Sequence, residues 1–148
     1  MGQLAAAVAL AQMEQNDYFI GLRTESGLAY TKAILNSDLL TAQHVNKGYT
    51  NTYYTFSAKF NGDQHNLKWE DFRMKYMEFG GDGIYAASQL IHKEPAFYNN
   101  NIGYGETPVA EDLQKRLMNF TTNQANSYER EVQTDAMQKT LKYFGDYQ

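Results

Sequence analysis

Between Thr50 and Phe60 the chain alternates more cleanly than anywhere else. Tyr54, Phe56, Ala58 and Phe60 face one way; Tyr53, Thr55, Ser57 and Lys59 face the other. A period of two marks a strand with one face buried. Asn61-Gly62 follows at once, a dipeptide suited to a two-residue hairpin turn. The return strand is therefore expected around Gln64 to Trp69. This predicts one β-hairpin around residues 50–69, with helices and loops on either side.

The flanking pattern is helical. Gly2 to Asn16 is an unbroken run of strong helix formers, and its apolar character predicts a buried first helix. Asp17 to Thr24, with the pair Tyr18 and Phe19, reads as a linker. A second helix is expected from Ser26 or Gly27 to Leu35, and Ser37-Asp38 offers an N-cap for a short turn ending near Val45. Phe72 to Phe79 fits neither period. Ile84 to Lys93 reads as a short helix stopped by Pro95, and Asn99 to Gly105 as a loop. Thr107-Pro108 opens a helix with Glu111 and Asp112 in its first turn and a stripe of Val109, Leu113, Leu117 and Phe120. Thr121 to Ser127 is polar and irregular. The last helix begins near Tyr128, carries Val132, Ala136 and Tyr143, and stops at Gly145. The expected fold class is α+β, mainly α, as a single domain over residues 1–148.

Composition narrows the function. A chain of 148 residues can bury a core without disulfides, and it contains no Cys. Thiolate catalysis and Cys-based metal sites are thereby excluded. His44, His65 and His92 show no ligand spacing, so no metal site is expected, and nothing in the sequence requires a cofactor. A net charge of -4 without a basic stripe argues against nucleic acid. Gly2 to Ala11 is too short to span a bilayer, and it lacks the basic flank of a signal peptide. No membrane insertion is expected, and export would go by lysis or within a larger particle. The twelve Tyr and eight Phe are assigned first to packing.

The order of landmarks resembles the bacterial glucosaminidase family of peptidoglycan hydrolases, the autolysin and flagellar-muramidase type. Leu10-Ala11-Gln12 sits in the corresponding first helix. Lys47-Gly48, Asn61-Gly62 and Phe72-Arg73-Met74-Lys75-Tyr76 follow in the family's order. Glu94-Pro95-Ala96-Phe97-Tyr98 stands for a helix-closing motif, and Leu113-Gln114 precedes Phe120-Thr121-Thr122-Asn123 as in the family's late loop. The resemblance implies a lysozyme-like helical domain that cleaves β-1,4 bonds of peptidoglycan glycan strands, as a phage lysis or virion-associated component.

That chemistry needs a carboxylic acid in a poorly solvated cleft. Two residues compete for the role. Glu14 lies in the first helix, and Glu25-Ser26-Gly27 matches the family's E-S-G. Sugar contacts would come from Tyr54, Trp69, Tyr98, Asn99 and Phe120. The hairpin contains no acid, and Phe120 stands where the family carries Tyr. These departures favour the alternative, a catalytically decayed domain serving as a structural subunit of a virion or homo-oligomer.

Overall fold

The longest element is a helix that the sequence pattern divides in two. In the computed structural model, which describes residues 2–86, 90–98 and 107–146 (without the side chains of Tyr85, Ala86 and Tyr98), α2 runs unbroken over Asn16–Ala33. The supposed linker is its first half. Tyr18 and Phe19 stay largely exposed, while Ser26, Gly27, Tyr30 and Ala33 turn one stripe into the core. Ahead of it, α1 (Gln3–Glu14) has no buried residue. The expectation of a buried first helix is thus overturned: propensity forms this helix, and none of its side chains enters the core.

The expected hairpin is absent. Strand β2 covers only Phe56–Phe60, and Asn61-Gly62 leads into a 3-10 turn at Gly62–His65. Gly62 is needed there because a Cβ would lie 2.1 Å from the Phe60 ring and 2.2 Å from the Leu67 carbonyl oxygen. The segment around Trp69 begins a helix, α3 (Trp69–Glu78), which resolves the ambiguity of residues 72–79. The partners of β2 come from farther away. They are β1 (Leu40–Ala42), in place of the expected helical turn, and β4 (Leu117–Phe120). A short β3 (Tyr85–Ala86) pairs with β4, and Ile91–Lys93 form a 3-10 turn, so the described residues at both ends of the expected helix from Ile84 to Lys93 are not α-helical, while 87–89 lie outside the described residues. All pairings are antiparallel, in the order β1-β2-β4-β3.

Two short helices, α4 (Pro95–Tyr98) and α5 (Pro108–Gln114), precede β4. Leu117 and Phe120, read as the end of the α5 stripe, belong to the strand. The expected loop residues 99–105 lie outside the described residues, apart from which the chain closes with α6 (Ser127–Tyr143). Its start is doubly capped. Asn126 accepts from the Glu129 amide at 3.0 Å, and Glu129 reaches back to the Ala125 amide at 2.8 Å. At its far end Gly145 takes φ 75°. Asp146 then accepts from the Ser37 hydroxyl and the Asp38 and Leu39 amides, tying the last helix to β1.

The core between sheet and helices is largely aromatic. Tyr30 stacks on Phe56 at 5.2 Å, and Phe120 touches Tyr30, Phe56 and Tyr76 at 5.6 to 6.1 Å between centroids. The fold is α+β and mainly α. In place of the hairpin of a lysozyme-like domain stands an antiparallel sheet whose strands come from well-separated segments, residues 40–42, 56–60, 85–86 and 117–120.

A further close contact seats α2 on the segment leading into β2. A Cβ on Gly27 would lie 2.2 Å from the Tyr53 ring. Gly27→Ala is expected to destabilise by about 1–3 kcal/mol, the usual range for overpacking, even though Ala is the better helix former. A urea unfolding midpoint equal to or above wild type would contradict this packing.

Candidate functional site

The register places a polar seam at the surface. Because Phe56 pairs with Phe120 in antiparallel fashion, the residues entering β2 and those leaving β4 lie side by side. Tyr53 sits at φ 47°, an uncommon conformation for a bulky residue. It is held from three directions. Its amide donates to Asn51 Oδ1 at 2.9 Å, its carbonyl accepts from the Thr122 hydroxyl at 2.6 Å, and its ring covers Gly27. Arg23, on the exposed shoulder of α2, closes the arrangement. Its Nη1 donates to the Tyr54 carbonyl at 2.8 Å and to Thr122 Oγ1 at 3.2 Å, with the guanidinium 5.4 Å from the Tyr54 ring centroid.

Beneath the seam runs a buried chain of hydroxyls and amides. The Tyr30 and Tyr76 hydroxyls are 3.2 Å apart, and Tyr76 donates to Gln133 Oε1 at 2.7 Å. The Asp82 amide donates to the same oxygen at 2.8 Å, and the Asp82 carboxylate accepts from Thr121 at 2.9 Å. Burial pushes the Tyr30 hydroxyl up to about 12 and raises Tyr76 as well, the neighbouring Tyr30 adding to the effect at Tyr76. In the unfolded chain both would ionise near pH ~10. Their contribution is therefore intact below that value and is lost as pH rises through about 12. Spectrophotometric titration is expected to show these two tyrosines lagging the exposed ones, with urea midpoints falling at alkaline pH. A single tyrosinate wave in the folded protein would contradict the buried pair.

The stretch from Thr121 to Asn126 links seam and network. Asn123 and Gln124 form a common wall between two open grooves. One, of about 420 Å³, also touches Asp82, Tyr128, Val132 and Gln133. The other, of about 290 Å³, also touches Gln12, Phe19, Leu22, Arg23 and Thr122. Gln124 is only 4 % exposed. Its Nε2 donates to the Thr121 carbonyl and hydroxyl at 3.2 Å, and its Oε1 has no partner among the described residues. That oxygen is itself buried, an unsatisfied acceptor beneath the groove wall and not one presented to either groove. Among the described residues no cluster of acids and histidines could hold a metal ion, and no helix is long and apolar enough to cross a membrane.

The residues singled out from sequence do not converge. Glu14 ends α1 exposed, and Glu25 is exposed on α2, paired with Arg130 at 2.6 Å. Neither occupies a poorly solvated cleft. Phe120 is 1 % exposed and belongs to the core, and Trp69 packs against that core from the start of α3. Tyr98 lies in α4, with its side chain outside what the structure describes, and Asn99 lies outside the described residues. Only Tyr54 joins the seam. Sequence reading missed Arg23, Asp82, Thr122, Gln124 and Gln133. The available signal was the polar run Thr121–Asn126 directly after a buried strand.

No protein-family model matches the chain, and no curated protein is significantly similar to it. Solved structures do match its fold. An aminotransferase from Psychrobacter cryohalolentis superposes with TM-score 0.84 at 14% identity, over 98% of this chain and 40% of that one. A putative sugar aminotransferase from Streptococcus pneumoniae, in its PMP form, gives 0.77 at 11% identity, over 97% and 36%. Helicobacter pylori PseC, an aminotransferase involved in the biosynthesis of pseudoaminic acid, gives 0.76 at 12%, over 93% and 36%. The chain thus spans roughly two fifths or less of the solved chains it matches.

These matches correct the resemblance drawn from sequence. The glucosaminidase assignment, peptidoglycan hydrolysis and glycan-strand partners are overturned, and the decayed virion subunit is not supported either. The physical reason lies in the motifs. Lys47-Gly48 and Asn61-Gly62 are generic loop and turn signals, and here Asn61-Gly62 does not even build a hairpin.

Proposed function

We propose that this chain is a module of an aminotransferase acting on a sugar or similar polyhydroxylated substrate. The observation that carries the reading is the fold match, which takes in nearly the whole chain and falls on aminotransferases in the three structures named above. The seam is consistent with it. Tyr54 presents an exposed ring beside the Arg23 guanidinium at the edge of a groove that Asn123 and Thr122 also line. Of the sugar-contacting residues considered from sequence, Tyr54 is retained; Glu14 and Glu25 have no acid–base role in this reading.

Amino transfer ordinarily uses pyridoxal phosphate held by a lysine as a Schiff base, with an acid or arginine at the ring nitrogen. The residues present do not fit that group. None of the lysines is buried, and none lines either groove beside Gln124. The cofactor-holding lysine in this reading belongs to a body outside these 148 residues, and the module contributes binding surface only.

The test is an assay of the protein isolated natively from its source cells with any bound polypeptide retained. Transfer of the glutamate amino group to a keto-sugar is expected. Arg23→Ala and Tyr54→Ala should raise KM more than they lower kcat, since they act on binding. An isolated assembly containing lysine-bound pyridoxal phosphate that transfers no amine to any keto-sugar offered would sink the sugar-directed reading.

A further inference from the structure

The groove of about 420 Å³ at the start of α6 has a chemistry that the Arg23–Tyr54 seam does not share. Residues one helical turn apart line it in two rows. Tyr128 and Val132 form an apolar row, with Tyr128 73 % exposed, and Glu129 and Gln133 form a polar one. Asp82 and Asn123 line it from the segments that follow α3 and β4.

Every charge on this lining is negative. Asp82 and Glu129 carry it, and no lysine, arginine or histidine contributes. Phosphates and carboxylates are repelled from such a groove. The start of α6 does not offset this, because Asn126 Oδ1 already caps the Glu129 amide at 3.0 Å. Glu129 is itself engaged, accepting from the Ala125 amide and Asn126 Nδ2. Asp82 is half engaged: Oδ2 accepts from Thr121, and Oδ1 meets no donor among the described residues.

Two acids alone would be an ordinary solvated rim. Gln133 makes the difference. It is 6 % exposed, and its Oε1 is fixed by the Tyr76 hydroxyl and the Asp82 amide. With the oxygen so assigned, the free end of the amide is Nε2, a donor. That group bonds to no described residue and is not sealed from solvent, so it opens into the groove that Gln133 lines. A buried side chain thus holds a donor at a set position beside two acceptors and an aromatic face.

We infer that this groove binds a primary ammonium with a neighbouring hydroxyl, as found in an amino sugar or a simple amino alcohol. The ammonium donates to the Asp82 and Glu129 carboxylates, and the Tyr128 ring adds a cation–π contact. The hydroxyl oxygen accepts from Gln133 Nε2. The inference stands apart from the aminotransferase reading, which is carried by the fold match.

The experiment titrates the isotope-labelled 148-residue chain with glucosamine and with ethanolamine, at slightly acidic pH where both amines are protonated. The readout is the NMR signal of the Gln133 side-chain amide. Glucose supplies hydroxyls without an ammonium, and butylamine an ammonium without a hydroxyl. Asp82→Asn and Glu129→Gln remove the charge but keep an oxygen for Thr121 and for the Ala125 amide, so their urea midpoints should stay close to wild type. Tyr128→Ala removes an exposed ring.

The expected result is a saturable shift of the Gln133 amide with at least one amino alcohol, the tighter of the two naming the source. Each charge variant should weaken that binding by about two- to fivefold, the scale of an exposed ion pair, and Tyr128→Ala should weaken it too. Glucose and butylamine should bind several-fold more weakly. Glucose binding as tightly would overturn the ammonium, and butylamine binding as tightly would overturn the hydroxyl contact. Affinity unchanged in all three variants, or no saturable shift at Gln133 from either amino alcohol, would overturn the site. All of these outcomes leave the aminotransferase reading where it stands.

Discussion

Phe120→Ala is expected to lower unfolding stability by about 3–5 kcal/mol, the range for truncating a buried aromatic. Phe120 is the last residue of β4, is 1 % exposed, and meets three rings at once, Tyr30, Phe56 and Tyr76. Its removal would open a cavity where the sheet meets α2 and α3. Phe120→Leu keeps most of the volume and should cost much less. Urea unfolding of the two variants decides the matter. A solvent-facing, sugar-contacting Phe120 would show a small loss in both, and the full difference between Ala and Leu would confirm it as core.

The second large effect is expected at Gln133. Its Oε1 accepts from the Tyr76 hydroxyl and the Asp82 amide, and the residue is buried on α6. Gln133→Leu preserves approximate size but leaves both donors without that acceptor. Tyr76 can still bond Tyr30 and the Asp82 amide is only partly buried, so the loss is expected at roughly 1–3 kcal/mol, the cost of about one orphaned buried group. Gln133→Glu keeps an acceptor for both bonds but buries an unpaired carboxylate at a site 6 % exposed, so its loss should be larger at neutral than at acidic pH, where protonation removes the charge. A Leu variant as stable as wild type would show that the network is satisfied by other means. The loss should also release Asp82, whose carboxylate holds Thr121. Groove residues Asn123 and Gln124 would then gain mobility, visible as faster amide exchange at the start of α6.

Both variants probe the joint between sheet and helices, where sequence reading was weakest. The alternation read over residues 50–60 marks a strand only at 56–60, where Phe56, Ala58 and Phe60 are buried; Tyr54, assigned to the same face, is exposed, and Tyr53, assigned to the other, is buried. The partner was misassigned, since Asn61-Gly62 suits a hairpin locally but here meets the Phe60 ring and the Leu67 carbonyl in a 3-10 turn. Turn propensity is a local quantity. Strand pairing depends on which distant apolar segment buries more surface, so β2 pairs with residues 40–42 and 117–120.

Helix ends show the same division. Pro108 opens α5, the Asn126 and Glu129 caps open α6, and Gly145 closes it. These lie close to where the residue types place them, because capping is settled within a few residues. Asp17 to Thr24 reads as a linker, since its aromatic pair breaks a simple stripe. It is helical because Gly27 and Tyr30, one and two turns on, anchor the same helix against Tyr53 and Phe56.

By itself the sequence determined what is local or compositional: a mainly helical α+β chain, the absence of cysteine chemistry, a strand ending at Phe60, the Pro108 start of α5 and the stop of the last helix at Gly145. Tertiary structure alone decided the rest. It turned a supposed hairpin into a four-stranded sheet, put Phe120 in the core, and left Glu14 and Glu25 in solvent. It also brought Arg23, Thr122 and Gln124 together, though about a hundred residues separate the first from the others. Capping and propensity act over a turn or two of chain, whereas a site assembled across the register of β2 and β4 exists only once those strands have paired.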